Sequence, residues 1–178
     1  MSAKKMVQLS GINAGTTTIA TVGSEGKGLT YRGYHIEDLA EQSTFEEVAY
    51  LLLEGSLPTK DSLEDFRKDL KQKRGLPDGL KAILEQLPAQ THPMDVLRTG
   101  CSALGCFEPE TTKNTAFKIA TRLLASFPSM LLYWHHYSLH KKRIEVESDD
   151  ELLSAHFLRL LHGKDPSASA TKAMDISL

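Results

Sequence analysis

The chain has 178 residues, 40% of them hydrophobic and 25% charged, with a formal net charge of −2. That length suits one domain, or a domain with a small appendage, and the balance of charge excludes a whole-chain attraction to nucleic acid or anionic membrane. No apolar run nears the roughly 20 residues of a bilayer span, Lys4 and Lys5 precede no apolar signal core, and two cysteines, Cys101 and Cys106, suit a reduced, cytoplasmic setting.

Residues 16–22 and 29–31 are short β-prone runs rich in Thr, Val and Tyr, and the glycines between them predict a small hairpin. Those glycines, Gly23-x-x-Gly26-x-Gly28, lack the hydroxyl that follows the lysine of a phosphate loop, so they read as turn chemistry. Ile36, Leu39 and Ala40 predict a short helix. Ser43 with Glu46 forms a candidate capping box for the next, which carries Phe45, Val48, Ala49 and Leu52 on one face and ends at Gly55. Thr59 is placed to cap a third helix with Leu63, Phe66 and Leu70 inward. Lys68, Lys71, Lys73 and Arg74 interleave with Glu64, Asp65 and Asp69, which predicts a solvated face rather than a nucleic-acid site.

Gly75-Leu76-Pro77 is a stop, and Leu80, Ile83, Leu84 and Leu87 define a further helix. Pro93 opens the next at its favoured first position, with Met94, Leu97, Cys101 and Leu104 sharing a face. Gly100 and Gly105 each cost that helix about 1 kcal/mol relative to Ala, acceptable where a neighbouring helix or a second subunit comes close. From Asn114 to about His140 runs the central helix. Phe117, Ala120, Leu123, Leu124, Phe127, Leu131 and Trp134 form its stripe, Ile119, Met130 and Leu132 widen it, and Pro128 predicts a kink or a break near Phe127. Ser148 and Glu151 suggest a second capping box before Leu152, Leu153, Phe157, Leu160 and Leu161, with Gly163 as the stop. Asp165 and Pro166 are expected to start the last helix, burying Ala170, Ala173, Met174 and Leu178. That helix has no terminal cap and its apolar face is still in progress at Leu178, so the chain is expected to be cut off mid-element.

Seven histidines invite a metal or catalytic reading. His135, His136 and His140 come nearest to a cluster, but no glutamate accompanies them in the metalloprotease pattern, which favours surface or packing roles. His156 sits among leucines and reads as a hydrogen-bonded core residue, while His162 suits a helix C-terminus. Cys101 and Cys106, five apart on one helix, diverge and cannot easily bridge or share a metal. With no Gly-x-Ser-x-Gly elbow, the residues alone describe a helical domain without a self-sufficient active site.

Several stretches in order carry a resemblance. Leu29-Thr30-Tyr31-Arg32-Gly33-Tyr34 with Ile36, Asp38 and Leu39, then residues 45–52 and Gly55-Ser56-Leu57-Pro58-Thr59, resemble the N-terminal region of citrate synthases. His92-Pro93-Met94-Asp95, Leu131-Leu132-Tyr133-Trp134, Leu160-Leu161-His162-Gly163 and Ala173-Met174-Asp175-Ile176 are similar to the 2-methylcitrate synthase branch of that family. The resemblance implies an all-α fold: an N-terminal arm and β-hairpin over 1–34, then a large-domain helical portion over 35–178, truncated at 178. It implies a cytoplasmic homodimer in propionate catabolism that condenses propionyl-CoA, or acetyl-CoA less well, with oxaloacetate and hydrolyses the thioester. An Asp would take the α-proton, one His stabilise the enol and another hold the keto group. No cofactor and no metal is implied, acyl-CoA being a substrate, and neither nucleic acid nor membrane is an expected partner. The catalytic residues are expected beyond Leu178, so none is assigned here. Lys60, at a helix start where amide donors meet a positive charge, is the single substrate-binding candidate. Arg32 and Gly33 should shape the corner from hairpin to helix, and the helix from Pro93 should face the second subunit. Citrate synthase proper and a non-catalytic short paralogue pairing with a full-length subunit are the alternatives.

Overall fold

A computed structural model describes residues 15–23 and 28–178. Three short strands, β1 (Ala20–Val22), β2 (Leu29–Tyr31) and β3 (Tyr34–His35), form an antiparallel sheet in that order, with Thr21 opposite Thr30 and Tyr31 opposite Tyr34. The turn residues 24–27, Gly26 among them, lie outside the described residues. The β2–β3 turn is Arg32-Gly33, both at positive φ (51° and 93°), which a tight hairpin connection of the primed type demands. Arg32 fixes that corner: its guanidinium donates to Thr18 Oγ1 at 3.0 Å and to the Leu52 carbonyl at 3.1 Å.

Eight helices follow among the described residues: α1 (Ile36–Gln42), α2 (Phe45–Glu54), α3 (Lys60–Gln72), α4 (Asp78–Gln86), α5 (Pro93–Phe107), α6 (Ala116–His140), α7 (Leu153–His162) and α8 (Ala168–Ser177). Gly55 and Gly163 end α2 and α7 in the left-handed conformation, and Thr59 caps α3 through the Ser62 amide, as their positions predicted. The other caps are displaced. The box on α2 is Thr44 with Glu47, one residue on from Ser43 and Glu46. No side chain of α7's own start caps it; Ser148 turns inward instead, and Ser167 rather than Asp165 caps α8. Other partners hold three of the side chains that sequence spacing assigns to local caps: the Leu153 amide takes Glu46, Arg74 and His156 take Ser148, and Arg159 takes Asp165.

At 25 residues, α6 is about 37 Å long and forms the spine between two apolar clusters. Leu76, Leu80, Leu84, Val96, Leu104, Met130, Tyr133, Trp134 and Val146 gather around its C-terminal half. Ala49, Phe66, Leu70, Ala125 and Leu153 gather around its N-terminal half. The helix is not broken at Pro128. The stripe is buried where expected in the C-terminal half, at Met130, Leu132 and Trp134, but not in the N-terminal half, where Thr121, Ala125 and Ser126, with Ser129 following, are buried while Phe117 is exposed. Small side chains let neighbouring helices come close, and two of the hydroxyls are satisfied by the preceding turn, Thr121 on Phe117 O (3.0 Å) and Ser126 on Arg122 O (2.8 Å). On α5, Val96, Gly100 and Leu104 pack inward, and Met94 is 64% exposed. A Cβ on Gly100 would lie 2.9 Å from Met130 Sδ, so this glycine admits α6; around Gly105 there is open space. On α8, Ala170, Ala173 and Leu178 are exposed and Met174 half-buried, whereas Asp175 is buried.

Candidate functional site

Lys60 occupies the first position of α3 and is exposed; Thr59 Oγ1 takes the Ser62 amide one turn in. His135, His136 and His140 lie along one end of α6. His136 Nε2 meets the Leu160 carbonyl at 2.8 Å, and burial, with His136 and His140 adding, lowers the His135 pKa. No group of three or more metal-ligating side chains occurs among the described residues. Cys101 and Cys106 are free thiols, the latter exposed, and His162 is exposed at the last position of α7.

The structure instead gathers polar side chains that sequence spacing had placed elsewhere. Arg74, read as part of a solvated face, is fully buried. Its Nη1 donates to Ser148 O at 2.8 Å and to Ser148 Oγ at 3.2 Å. His156, also fully buried, sits between Ser148 Oγ at 2.9 Å and Ser129 Oγ at 3.3 Å. Ser148 donates its proton to Asp150 at 2.6 Å, which leaves its oxygen to accept from His156 Nδ1, and Nε2 carries no proton beside Ser129, whose hydroxyl donates to Val146 O. Arg159 closes the network with two bonds to Asp150, at 2.6 and 2.9 Å. Burial, reinforced by Arg74, pushes the His156 pKa down to about 3.

A second group interlocks three helices. Glu46 of α2, fully buried, accepts the Leu153 amide of α7 at 2.7 Å and so caps a helix 107 residues away in sequence. Asp175 of α8 accepts the Phe45 amide of α2 and the Ser154 hydroxyl of α7, each at 3.4 Å. Burial raises the Glu46 pKa, with the Asp175 charge adding to it against the Leu153 amide and Arg67. A third group is more open: Glu85 accepts from Tyr133 Oη at 2.6 Å and from Arg143 at 2.7 and 2.9 Å. Arg143, and then Tyr133, hold its carboxyl at about 2, while burial and Glu85 push the Tyr133 phenol to about 12.

These groups bear on chemistry by what they lack. The serine–histidine–aspartate set has the wrong order for a nucleophile, because Asp150 orients a serine instead of the imidazole, and the ring is sealed from solvent. An apolar groove of about 670 Å³ lies between α1, α2, α6 and α8. Leu39, Val48, Leu52, Leu124 and Phe127 line it, so the stripe of α6 faces an open surface, with Ile176 and Leu178 exposed on the rim. Asp175 is its one carboxylate, already engaged. Buried polar residues of this kind escape a sequence reading because burial, not spacing, defines them; the lone Asp175 inside an apolar run was the visible signal.

Comparison with known proteins supplies what the geometry does not. A family model described as citrate synthase, C-terminal domain, matches residues 8–178. The chain is 56% identical over 170 residues to a 2-methylcitrate synthase of Shewanella oneidensis, covering 96% of this chain and 45% of that protein. It is 37% identical over 171 residues to 2-methylcitrate synthase 1 of Corynebacterium glutamicum, covering 94% and 45%. The crystal structure of citrate synthase from Thermotoga maritima superposes with a TM-score of 0.81 at 31% identity, over 95% of this chain and 44% of that one. The chain thus spans about half the length of the curated relatives it matches.

Proposed function

The chain belongs to the citrate synthase family, and on that premise we propose that it is the N-terminal part of a 2-methylcitrate synthase, supplying helical scaffold to an enzyme that condenses propionyl-CoA with oxaloacetate. The observation that carries this reading is the 56% identity, over nearly the whole chain, to a relative of that name. Placement at the N-terminal end rests on the order of the motifs, since the matching family model takes its description from a C-terminal domain. The sealed His156 and the absence of an open acid–base pair among the described residues favour a chain that is inactive alone. Catalysis in this reading falls to residues outside the 178.

Homodimerisation through α5 is part of the same proposal, supported by exposed Met94 and the open space around Gly105. So are a contact from Lys60 to an anionic substrate group and a cytoplasmic location. No helix of the described residues is long and apolar enough to cross a membrane.

The test is CoA release from propionyl-CoA and from acetyl-CoA with oxaloacetate. The 178-residue chain alone is expected to give none. Mixed with a polypeptide carrying the other half of the Shewanella relative, it is expected to recover turnover of propionyl-CoA. Turnover by the chain alone rejects the inactivity, and no turnover by the mixture rejects the scaffold role.

A further inference from the structure

Residues 141–152 join α6 to α7 without regular secondary structure, yet Val146 is buried among Trp134, Tyr133 and Leu84. Four side chains from three other parts of the fold fasten the segment. Ser129 of α6 donates to Val146 O at 3.2 Å; Arg74, after α3, donates to Ser148 O; His156 of α7 meets Ser148 Oγ; Arg159 of α7 holds Asp150. Three of these attachments converge on residues 148–150, and His156 is the one neutral titratable group among them. We propose that residues 141–152 form an acid-released strap, locked against α6 and α7 only while His156 is neutral.

The reason is electrostatic and steric. The ring has no exposure, and the Ser148 hydroxyl it contacts is already the acceptor for a guanidinium, so a proton on His156 would put a second cation beside Arg74. The charged and titratable groups facing this region are Arg74 from the end of α3, Arg159 on α7 itself, Asp149 and Asp150 on the strap, Glu46 on α2 and Asp175 on α8. Asp150 is committed to Ser148 and Arg159, Glu46 to the Leu153 amide, and Asp175 to Phe45 and Ser154. Asp149 pairs with Lys71 at the surface. Lifting the strap gives His156 back to water, where its affinity for a proton returns to the ordinary value near 6.5. Between that value and about 3, the lifted state therefore binds a proton that the closed state does not, and acidification favours lifting by about tenfold per pH unit.

Native-state proteolysis of the 178-residue chain by thermolysin reads this directly, since Ile144, Val146 and Leu152 supply cleavage sites on the strap. Rates from pH 8 to 5 are divided by those for a free peptide of residues 141–152, which removes the protease's own pH dependence. The expected result is a flat ratio down to about 6.5, then a rise of about tenfold per pH unit, with the first cut inside 141–152. His156→Gln is expected to remove the rise. Ser129→Ala, which weakens the anchor on α6 and leaves the imidazole, is expected to speed cleavage at every pH with the slope retained. A flat wild-type profile, an equal rise in His156→Gln, or first cuts elsewhere overturns the proposal. Should His156→Gln lose its helical circular dichroism, the slope of wild type and of Ser129→Ala decides it.

Discussion

Glu46 shows how one side chain can serve two helices. It lies in the first turn of α2, where a carboxylate favours the helix dipole, and its Oε1 satisfies an amide at the start of α7 that would otherwise be orphaned. Glu46→Ala removes that acceptor and is expected to cost about 1–3 kcal/mol in urea unfolding. Glu46→Gln keeps an oxygen there and removes the buried charge. Because burial raises the folded-state pKa, the native state holds this proton more tightly than the unfolded chain does. Its contribution is complete below the ordinary carboxylate value and is lost as pH rises through the raised one. The stability of Glu46→Gln relative to wild type is therefore expected to increase with pH across that window. Arg74 is the second such residue. Arg74→Ala takes the guanidinium donor from the Ser148 carbonyl and hydroxyl, and a loss of about 1–3 kcal/mol is expected by the same measurement.

The glycines of α5 separate two causes at the level of the element. Gly100 faces α6 at a distance where a methyl group meets Met130 Sδ. Overpacking costs about 1–3 kcal/mol and the better helix propensity of Ala returns about 1, so Gly100→Ala is expected to be neutral to about 2 kcal/mol destabilising. Gly105 has nothing within 4 Å, and Gly105→Ala is expected to stabilise the isolated chain by about 1 kcal/mol. Compared with wild type, the Gly105→Ala thermal midpoint should rise while that of Gly100→Ala stays level or falls. A gain in the isolated chain together with loss of self-association would support the proposed subunit contact at α5.

For the whole molecule, the groove between α1, α2, α6 and α8 is an open apolar surface. Its lining is almost wholly apolar, and Ile176 and Leu178 are 52% and 53% exposed on its rim. Apolar concavities of this extent bind hydrophobic dyes while the protein is native. The folded chain is expected to enhance anilinonaphthalene sulfonate fluorescence at neutral pH, and Ile176→Ser with Leu178→Ser to reduce it without loss of helical circular dichroism. The same surface explains how α6 could be read as central and still be misassigned in detail. Its period marks an apolar stripe correctly, but the period carries no information about which face meets protein. Here Thr121, Ser126 and Ser129 are the closely packed side, and Ala120, Leu123, Leu124 and Phe127 look onto the groove.

By itself the sequence determined the family, the helical class and the order of the elements. Apolar spacing, together with glycines such as Gly55 and Gly163, acts over a turn or two of backbone and is visible along the chain. It also determined that His156 belongs in the core. Only the tertiary structure decided that Arg74 is buried, that Glu46 caps α7, that Asp175 rather than its apolar neighbours is enclosed on α8, and that Ser148 faces His156. Those facts depend on which groups from distant parts of the chain arrive at the same place. A buried polar group is held by whichever partner reaches it, and sequence spacing does not record that meeting.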